Sequence, residues 1–260
     1  MEEHIVEMKG VALAFGDKSI LKDLNIAVKP RERLVVLGQS GSGKSTLLRL
    51  IVGILSPNSG SVRFKGREVT KMRRPHLNRM RQKIGMVYQY SALISSLSVR
   101  DNLALPLEEL TAKGEEEIEK IIDEKLAMVD MQDTKLMMPS ELSGGMRKRI
   151  GLARALVMHP ELILFDEPSA GLDPVISSVI DELIISLTEK TDATSIIVTH
   201  EMESAFKIAT RMAMLYQGNI IEDSAPAAFR NSKNPVVSQF VSGSTKGPIL
   251  EGKNHGGQKK

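Results

Sequence analysis

The sequence predicts an α/β fold whose central sheet is mainly parallel and flanked by helices. Short apolar runs at Leu34–Leu37, Leu162–Phe165 and Ser195–Val198 have the length and composition of strands buried on both faces. Segments with helical periodicity lie between these runs, and a glycine-rich turn at Gly38–Ser45 joins the first run to a helix. Buried strands that alternate with helices are typical of a parallel sheet with helices on its faces.

The first elements of the chain have a different pattern, that of antiparallel strands. The opening segment Ile5–Val28 predicts antiparallel strands, with Val11–Phe15 and the alternating apolar residues of Ile20–Val28 on either side of a Gly16-Asp17 turn. Pro30 ends this region, and Arg33–Leu37 then predicts a buried strand that leads into the glycine-rich turn. We therefore expect an antiparallel β region beside the parallel sheet.

The spacing of apolar residues predicts the remaining elements. Helices are expected at Lys44–Ile54, Asp101–Leu110, Glu116–Val129, Met146–Met158 and Pro174–Leu187. Strands are expected at Ser61–Phe64, Ile84–Tyr88, Leu162–Phe165 and Ser195–Val198, with a late hairpin of Met212–Tyr216 and Asn219–Glu222. A helical stretch is expected from about Gln89 to Ser140, and the residues Gly252–Lys260, rich in Gly, Lys and Asn, are expected to be disordered.

The composition narrows the classes of function. The 260 residues include no cysteine, which excludes disulfides and thiolate metal sites and agrees with a reducing cytosol. No apolar run approaches the length that a transmembrane helix needs, and the acidic start Met1-Glu2-Glu3-His4 does not resemble a secretory leader. The net charge of +3 is too small to indicate a nucleic-acid-binding protein.

One basic stretch needs its own interpretation. Its cationic side chains are Lys71, Arg73, Arg74, Arg79, Arg81 and Lys83. No aromatic residue is interleaved for base stacking, so the stretch predicts a solvated or partner-facing surface and not a nucleic-acid interface.

The glycine-rich turn has the pattern of a phosphate cradle. Gly38–Ser45 fits G-x-x-x-x-G-K-S between a predicted strand and a predicted helix. In such a loop the backbone N–H groups surround the phosphates of a nucleotide. Lys44 neutralises the charge of the β and γ phosphates, and Ser45 can bind Mg²⁺. Asp166 ends a second apolar strand, where it is placed to hold the same Mg²⁺, and Glu167 follows it, where it can polarise an attacking water.

A second anion-binding turn lies at Leu142–Met146, whose sequence is Leu-Ser-Gly-Gly-Met. A Ser-Gly-Gly turn that opens a helix presents free backbone N–H groups and the positive end of the helix dipole. Two anion sites in one small domain suggest that each chain carries halves of two different sites, which a second copy of the chain completes.

The order of these motifs resembles that of the ABC-type ATPases, the nucleotide-binding subunits of ABC transporters, from about residue 5 to residue 230. The matching segments are Gly38–Thr46 (Walker A), Gln89 (Q-loop), Leu142–Met146 (signature), Leu162–Glu167 (Walker B), Ser169–Asp173 (D-loop) and His200 (switch histidine). The resemblance implies a P-loop NTPase of the ABC type in a single domain, residues 1–245. It includes a helical subdomain at about 90–145 and an antiparallel β subdomain, and a flexible tail follows at 246–260.

The resemblance also implies roles for individual residues. Glu167, His200, Gln89 and Lys44 would be catalytic, and Ser45, Gln89 and Asp166 would hold Mg²⁺. ATP would be bound by Phe15, stacked on adenine, by the loop residues Gly38, Gln39, Ser40, Gly41, Ser42, Gly43, Lys44, Ser45 and Thr46, and, from the other chain, by Ser143, Gly144, Gly145 and Asp173. A head-to-tail homodimer would then close on two ATP molecules, and hydrolysis would open it.

A narrower resemblance is to the Mla/Mce-type lipid-transport ATPases. It rests on Met146–Arg154, on Gly171–Val175, on the segment from Gln89 to Asn102 and on Asn234–Ile249. Met146 replaces the commoner glutamine of the signature, and Ser91-Ala-Leu-Ile94 stands where such relatives often have Gly-Ala-Leu-Phe. This resemblance implies a separate membrane permease, a Mce-domain lipid-binding protein as a further partner, and a position on the cytoplasmic face of the inner membrane.

Two other functions remain open at this stage. An ATPase of an amino-acid or ion importer would have a nearly identical core. A soluble ABC ATPase of the cluster-assembly type would act without a permease. DNA-repair members carry a long coiled coil between Ser45 and the signature, and this chain has no sustained heptads there.

Overall fold

The computed structural model describes residues 4–250 and arranges their strands in two sheets. The strands are β1 Val6–Phe15, β2 Lys18–Val28, β3 Arg33–Leu37, β4 Ser59–Phe64, β5 Arg67–Glu68, β6 Ile84–Val87, β7 Leu162–Asp166, β8 Thr194–Thr199, β9 Arg211–Tyr216 and β10 Asn219–Ser224. The helices are α1 Lys44–Ile51, α2 Arg74–Arg81, α3 Val99–Leu110, α4 Glu115–Met128, α5 Gly144–Leu156, α6 Pro174–Thr191, α7 Met202–Ile208, α8 Pro226–Arg230 and α9 Pro235–Ser242.

The larger sheet has six strands in the order β10-β9-β3-β8-β7-β6. All neighbouring pairs from β9 to β6 are parallel, and within this sheet, as described for residues 4–250, only the β9–β10 hairpin is antiparallel. The prediction of a mainly parallel sheet is therefore confirmed. Because β8 lies between β3 and β7, the ends of three strands from distant parts of the chain lie side by side.

Successive residues of β3 face opposite sides of this sheet, as the period of a strand requires. Val35 and Leu37 belong to a core shared with the helices α3 to α6, whereas Leu34 and Val36 belong to a second core shared with α1 and the smaller sheet. All four side chains are fully buried, which explains why the strand is an unbroken apolar run.

The smaller sheet is antiparallel, with the strand order β2-β1-β4-β5. The predicted antiparallel strands of the opening segment are confirmed, and β1 extends over Val6–Phe15, which is longer than the apolar run at Val11–Phe15. The late hairpin also forms where it was predicted, and its turn residues Gln217 and Gly218 both have positive φ angles, 47° and 87°. That geometry matches the right-handed twist of the paired strands.

The stretch between β6 and β7 contains α3, α4 and two short 3₁₀ turns before α5. Helix α3 begins where the Ser98 side chain accepts a hydrogen bond from the backbone N–H of Asp101. Four helices were not predicted, namely α2, α7, the short α8 and α9. In α2 the charged residues obscured a helical pattern, although Pro75 stands in its first turn and Leu77 and Met80 share one face.

The end of the described chain packs against the larger core. Val237 of α9 is fully buried, and Val236, Phe240 and Val241 lie against the same core. Ile249 is also buried, and its backbone N–H donates to the Gln239 side chain at 2.8 Å. The predicted tail at 246–260 thus includes residues that contact the domain, while Gly252–Lys260 lie outside the described residues.

Candidate functional site

Loops that follow four strands of the larger sheet meet around one cavity of about 370 Å³. Such a crevice at the carboxyl ends of parallel strands is where open α/β sheets bind ligands. Its lining comprises Lys18, Ile20, Ser40, Gly41, Gly43, Lys44, Ser45, Thr46, Gln89, Glu167 and His200. Nine of the residues singled out in the sequence are therefore together here, and Lys18 and Ile20 are additions from β2.

The glycine-rich loop forms one wall of the cavity. Lys44 is buried at the start of α1, and its Nζ donates to the carbonyl oxygens of Gly38 at 2.8 Å and Gln39 at 3.2 Å. A Cβ atom at Gly38 would lie 2.6 Å from the Leu215 carbonyl oxygen, so this turn accepts only glycine. The buried Ser42 hydroxyl has no hydrogen-bond partner among the described residues. The loop is therefore a compact cradle at a helix N-terminus, which suits an anion.

A hydroxyl and a carboxyl group meet beside this loop. Ser45 Oγ donates to Asp166 Oδ1 at 2.9 Å, although the two residues are 121 positions apart. Burial at the end of β7 raises the pKa of Asp166, an effect that the hydrogen bond from Ser45 partly opposes. Hydroxyl and carboxylate oxygens are the protein ligands that Mg²⁺ prefers. The pair therefore fits a magnesium ion next to a bound phosphate.

Glu167 projects into the cavity between two basic side chains. Its Oε1 lies 3.4 Å from Lys44 Nζ, and its Oε2 lies 3.0 Å from His200 Nδ1. The backbone of Glu167 has a φ angle of 50°, an uncommon conformation for a residue with a side chain. The backbone N–H of Glu167 donates to the Val198 carbonyl on β8, which holds this turn against the strand before His200.

Gln89 follows β6 and lines the same cavity as the glycine-rich loop. Its carbonyl oxygen accepts a hydrogen bond from the buried Lys148 Nζ at 2.6 Å, and the same ammonium lies 3.4 Å from the Glu167 carbonyl oxygen. Burial lowers the pKa of Lys148, while the charges of Glu201 and Glu167 act in the opposite direction. The sequence singled out Lys148 only as a member of the Met146–Arg154 segment, because nothing local shows what its side chain reaches.

A second contact missed in the sequence joins two loops behind the cavity. The buried hydroxyl of Ser169 donates to Glu201 Oε2 at 2.9 Å, next to His200 in the chain. The sequence could not indicate this pair, because the two residues are 32 positions apart and neither spacing nor composition connects them.

Phe15 is not a core residue of the smaller sheet, since 51% of its surface is exposed. It lies outside the lining of the cavity, at the end of β1, but its backbone pairs with that of Lys18, which is part of the lining. The ring is therefore exposed at the rim of the site.

The signature turn lies elsewhere on the chain, and none of Ser143, Gly144, Gly145 and Asp173 lines the cavity. Ser143 Oγ accepts from the backbone N–H of Met146 at 3.2 Å and caps α5, while Asp173 Oδ1 caps α6. A Cβ atom at Gly145 would lie 2.9 Å from the Ile176 side chain, so the two helix starts are in contact. These residues form a second cluster, separate from the first within one chain.

Comparison with known proteins decides the family. Residues 21–170 match the family described as ABC transporter. The chain belongs to the ABC transporter family. The chain is 39% identical over 244 residues to the probable ribonucleotide transport ATP-binding protein mkl of Mycobacterium tuberculosis. The match covers 94% of this chain and 68% of mkl.

Another relative is the intermembrane phospholipid transport system ATP-binding protein MlaF of Haemophilus influenzae, 37% identical over 249 residues, which cover 96% of this chain and 94% of MlaF. Among solved structures, the chain is similar to the ATP-binding cassette MJ0796 in a dimeric post-hydrolysis state with ADP and Pi. The TM-score is 0.77 at 31% identity, and the match covers 85% of this chain and 98% of that one.

The ABC chain is thus an ATPase subunit of a transporter, with the P-loop fold of its family, and it binds ATP. Within residues 4–250, no helix combines the length and apolar character that crossing a bilayer requires.

Proposed function

We propose that this ABC subunit hydrolyses Mg·ATP in the cavity at the end of the larger sheet. The observation that carries the proposal is the convergence of Lys44, Glu167, His200 and Gln89 on that cavity, beside the Ser45–Asp166 pair. Lys44 binds the β and γ phosphates. Ser45, Gln89 and Asp166 would hold Mg²⁺, and the ion would supply positive charge that neutralises the phosphates.

Glu167 is the residue placed to polarise the attacking water. Its carboxylate is fixed between Lys44 Nζ and His200 Nδ1, so its orientation is set before a nucleotide binds. We assign to His200 a contact with the γ-phosphate, and to Gln89 the sensing of Mg²⁺ and the attacking water together with coupling to the membrane partner. Phe15 stacks on the adenine, which its exposed ring at the rim of the cavity supports.

The remaining predicted contacts require a second copy of the chain. Ser143, Gly144, Gly145 and Asp173 cluster away from the cavity of their own chain but present the N-termini of α5 and α6. We infer that they contact ATP bound to the other subunit in a head-to-tail homodimer. The dimeric state described for the cassette MJ0796 supports this inference.

A separate permease is the second partner that we propose. An open groove of about 600 Å³ lies beside the Gln89 loop, between α2, α3 and α5, and its lining includes Ile84, Met86, Leu105, Pro106 and Leu110. This mostly apolar surface suits a helix of a membrane subunit. Docking there would place the subunit at the cytoplasmic face of the inner membrane and connect Gln89 to the permease.

We further propose that the cargo is a phospholipid or another lipid, and that a Mce-domain protein belongs to the same complex. The similarity to MlaF over nearly the whole of both chains supports this assignment. The mkl relative, by contrast, is named for ribonucleotide transport. The test of cargo must therefore compare lipids with small polar solutes, including the amino acids and ions of the alternative importer.

The Glu167→Gln variant tests the catalytic proposal. The amide keeps the shape of the side chain but cannot accept the water proton, so the ATPase kcat should fall by about 10²–10⁴ while ATP still binds. The matched control is Glu182→Gln on the exposed face of α6, which should hydrolyse ATP at the normal rate. Equal kcat values for the two variants would remove Glu167 from the mechanism.

The dimer is tested separately in the Glu167→Gln background, where ATP is bound but not turned over. Light scattering should show an ATP-dependent dimer, and Ser143→Arg should abolish it without weakening binding of ATP to the monomer. The cargo test is purification of the native complex with its permease, followed by identification of bound lipids. Stimulation of turnover by an amino acid, an ion or a ribonucleotide, with no bound lipid, would contradict the lipid assignment.

A further inference from the structure

A second large cavity lies between the β4–β5 hairpin and helix α2, with a volume of about 750 Å³. It shares no lining residue with the nucleotide cavity or with the apolar groove beside Gln89. Its floor is apolar, since Phe64 and Met80 are buried beneath it and Met72 is half-buried at one side. The cavity therefore has room for more than a bare inorganic ion.

The walls of this cavity are strongly basic. They carry the cations Lys65, Arg67, Lys71, Arg73, Arg79 and Lys83, together with His76. Glu68 is the one carboxylate in the wall, and it pairs with Lys71 at 2.9 Å. Glu161, outside the wall, pairs with both Lys65 and Lys83.

Three arginines of the wall have no such counter-charge. Arg67, Arg73 and Arg79 form no ion pair or side-chain hydrogen bond with any residue in the part of the chain that the structure describes. All three are exposed. Their positive charge is thus available to a ligand, and their planar guanidinium groups match the oxygens of a phosphate.

The wall formed by α2 is held in place from behind. Arg81, on the same helix, turns away from the cavity and donates to the carbonyl oxygens of Val52 and Gly53, both at 3.0 Å, at the end of α1. The buried side of α2 is fixed in this way, so its arginines are presented from a rigid element, which lowers the entropy lost on binding.

We propose that this cavity is a binding site for an anionic ligand that carries a phosphate ester, separate from the ATP site. The unpaired arginines bind the phosphate, and the apolar floor contacts the organic part of the ligand. A lipid headgroup and a soluble phosphate ester share this chemistry. A nucleobase is not favoured, because Phe64 is buried and offers no face for stacking, and the described residues of the wall include no Tyr or Trp.

The test uses the purified full chain with its nucleotide site filled by a non-hydrolysable ATP analogue. One arm measures flotation with phosphatidylcholine vesicles that do or do not contain phosphatidic acid. The other arm measures binding of sn-glycerol 3-phosphate by calorimetry. The variant is Arg67→Glu/Arg79→Glu, and the matched control is Lys120→Glu/Lys190→Glu, which changes the net charge equally at exposed positions on other helices.

We expect binding in at least one arm, and the double Arg→Glu variant should weaken it by more than about thirtyfold, since the loss of each basic residue near an anionic surface costs a factor of about five and each added carboxylate repels the ligand. The neutral variant Arg67→Gln/Arg79→Gln should lose less affinity than the Arg67→Glu/Arg79→Glu variant, and the lysine control should bind like the unmodified chain. Binding to vesicles assigns the site to a lipid headgroup, and binding only in the calorimeter assigns it to a soluble ester. Absence of binding in both arms, or equal losses in the arginine and lysine variants, would overturn the proposal.

Discussion

Lys148 connects the two loops that carry Gln89 and Glu167, and its removal gives the sharpest test of how the site is positioned. Its ammonium group is buried on the second turn of α5 and donates to the Gln89 carbonyl at 2.6 Å, with the Glu167 carbonyl at 3.4 Å. The substitution Lys148→Met keeps the length of the side chain and removes the donor. Both carbonyl oxygens then lose a shared partner.

The magnitude follows from these contacts. A buried, charge-assisted hydrogen bond contributes about 1.5–3 kcal/mol, and only the shorter of the two contacts has good geometry. Removing the ammonium also removes its desolvation penalty, which is the main reason that the pKa of Lys148 is lowered. The net loss of stability in Lys148→Met should therefore be about 1–2 kcal/mol.

The effect on activity should be larger than the effect on stability. A shift of about 1 Å in a reacting group can reduce the rate by roughly 10²-fold, so kcat for Mg·ATP should fall by about 10–100-fold. The KM for ATP should change little, because Lys148 does not line the nucleotide cavity. Steady-state ATPase kinetics and denaturant unfolding measure the two quantities separately.

The control is Arg149→Met at the next position of the same helix. Arg149 donates to the Val129 carbonyl at 2.9 Å and pairs with Asp130, away from the site. The Arg149→Met variant should lose a comparable free energy of unfolding and keep the kcat of the unmodified chain. If Lys148→Met retained full kcat, or if Arg149→Met lost as much activity, the positioning role of Lys148 would be refuted.

Three further predictions concern packing, a loop contact and pH. Phe229→Ala should lower the free energy of unfolding by about 3–5 kcal/mol, because the ring is fully buried; a loss below that range in a denaturant titration would show that the core relaxes around it. Ser169→Ala should lower the free energy of unfolding by about 1–2 kcal/mol and reduce kcat severalfold, since Glu201 loses its hydrogen bond beside His200. Unchanged kinetics would show that this contact has no role in catalysis. Glu119→Gln should lower the free energy of unfolding by about 1 kcal/mol at pH 7. Hydrogen bonding from Lys135 lowers the pKa of Glu119 below its ordinary value of 4.5, so the difference from the unmodified chain should disappear as the pH falls below that value, and a difference that persists in acid would have another origin.

Local sequence patterns predicted most of the fold. The apolar run of β3 is readable because both of its faces are buried, and the G-x-x-x-x-G-K-S turn is readable because a phosphate cradle needs fixed residue types at fixed spacing. Helix α2 was missed because an exposed helix tolerates a nearly continuous run of charge, which hides the two apolar residues that anchor it. The same charge, described in the sequence as a surface, lines a cavity only because the β4–β5 hairpin folds against it.

The sequence by itself thus determined the family, the mainly parallel sheet and the residues that surround the phosphates, because each of these depends on short local motifs and on their order along the chain. Only the tertiary structure decided which distant side chains meet. The insertion of β8 between β3 and β7 brings His200 to Glu167, and the packing of α5 brings Lys148 to the Gln89 loop. Contacts of this kind depend on the order of strands and the docking of helices, and no local pattern in the chain encodes them.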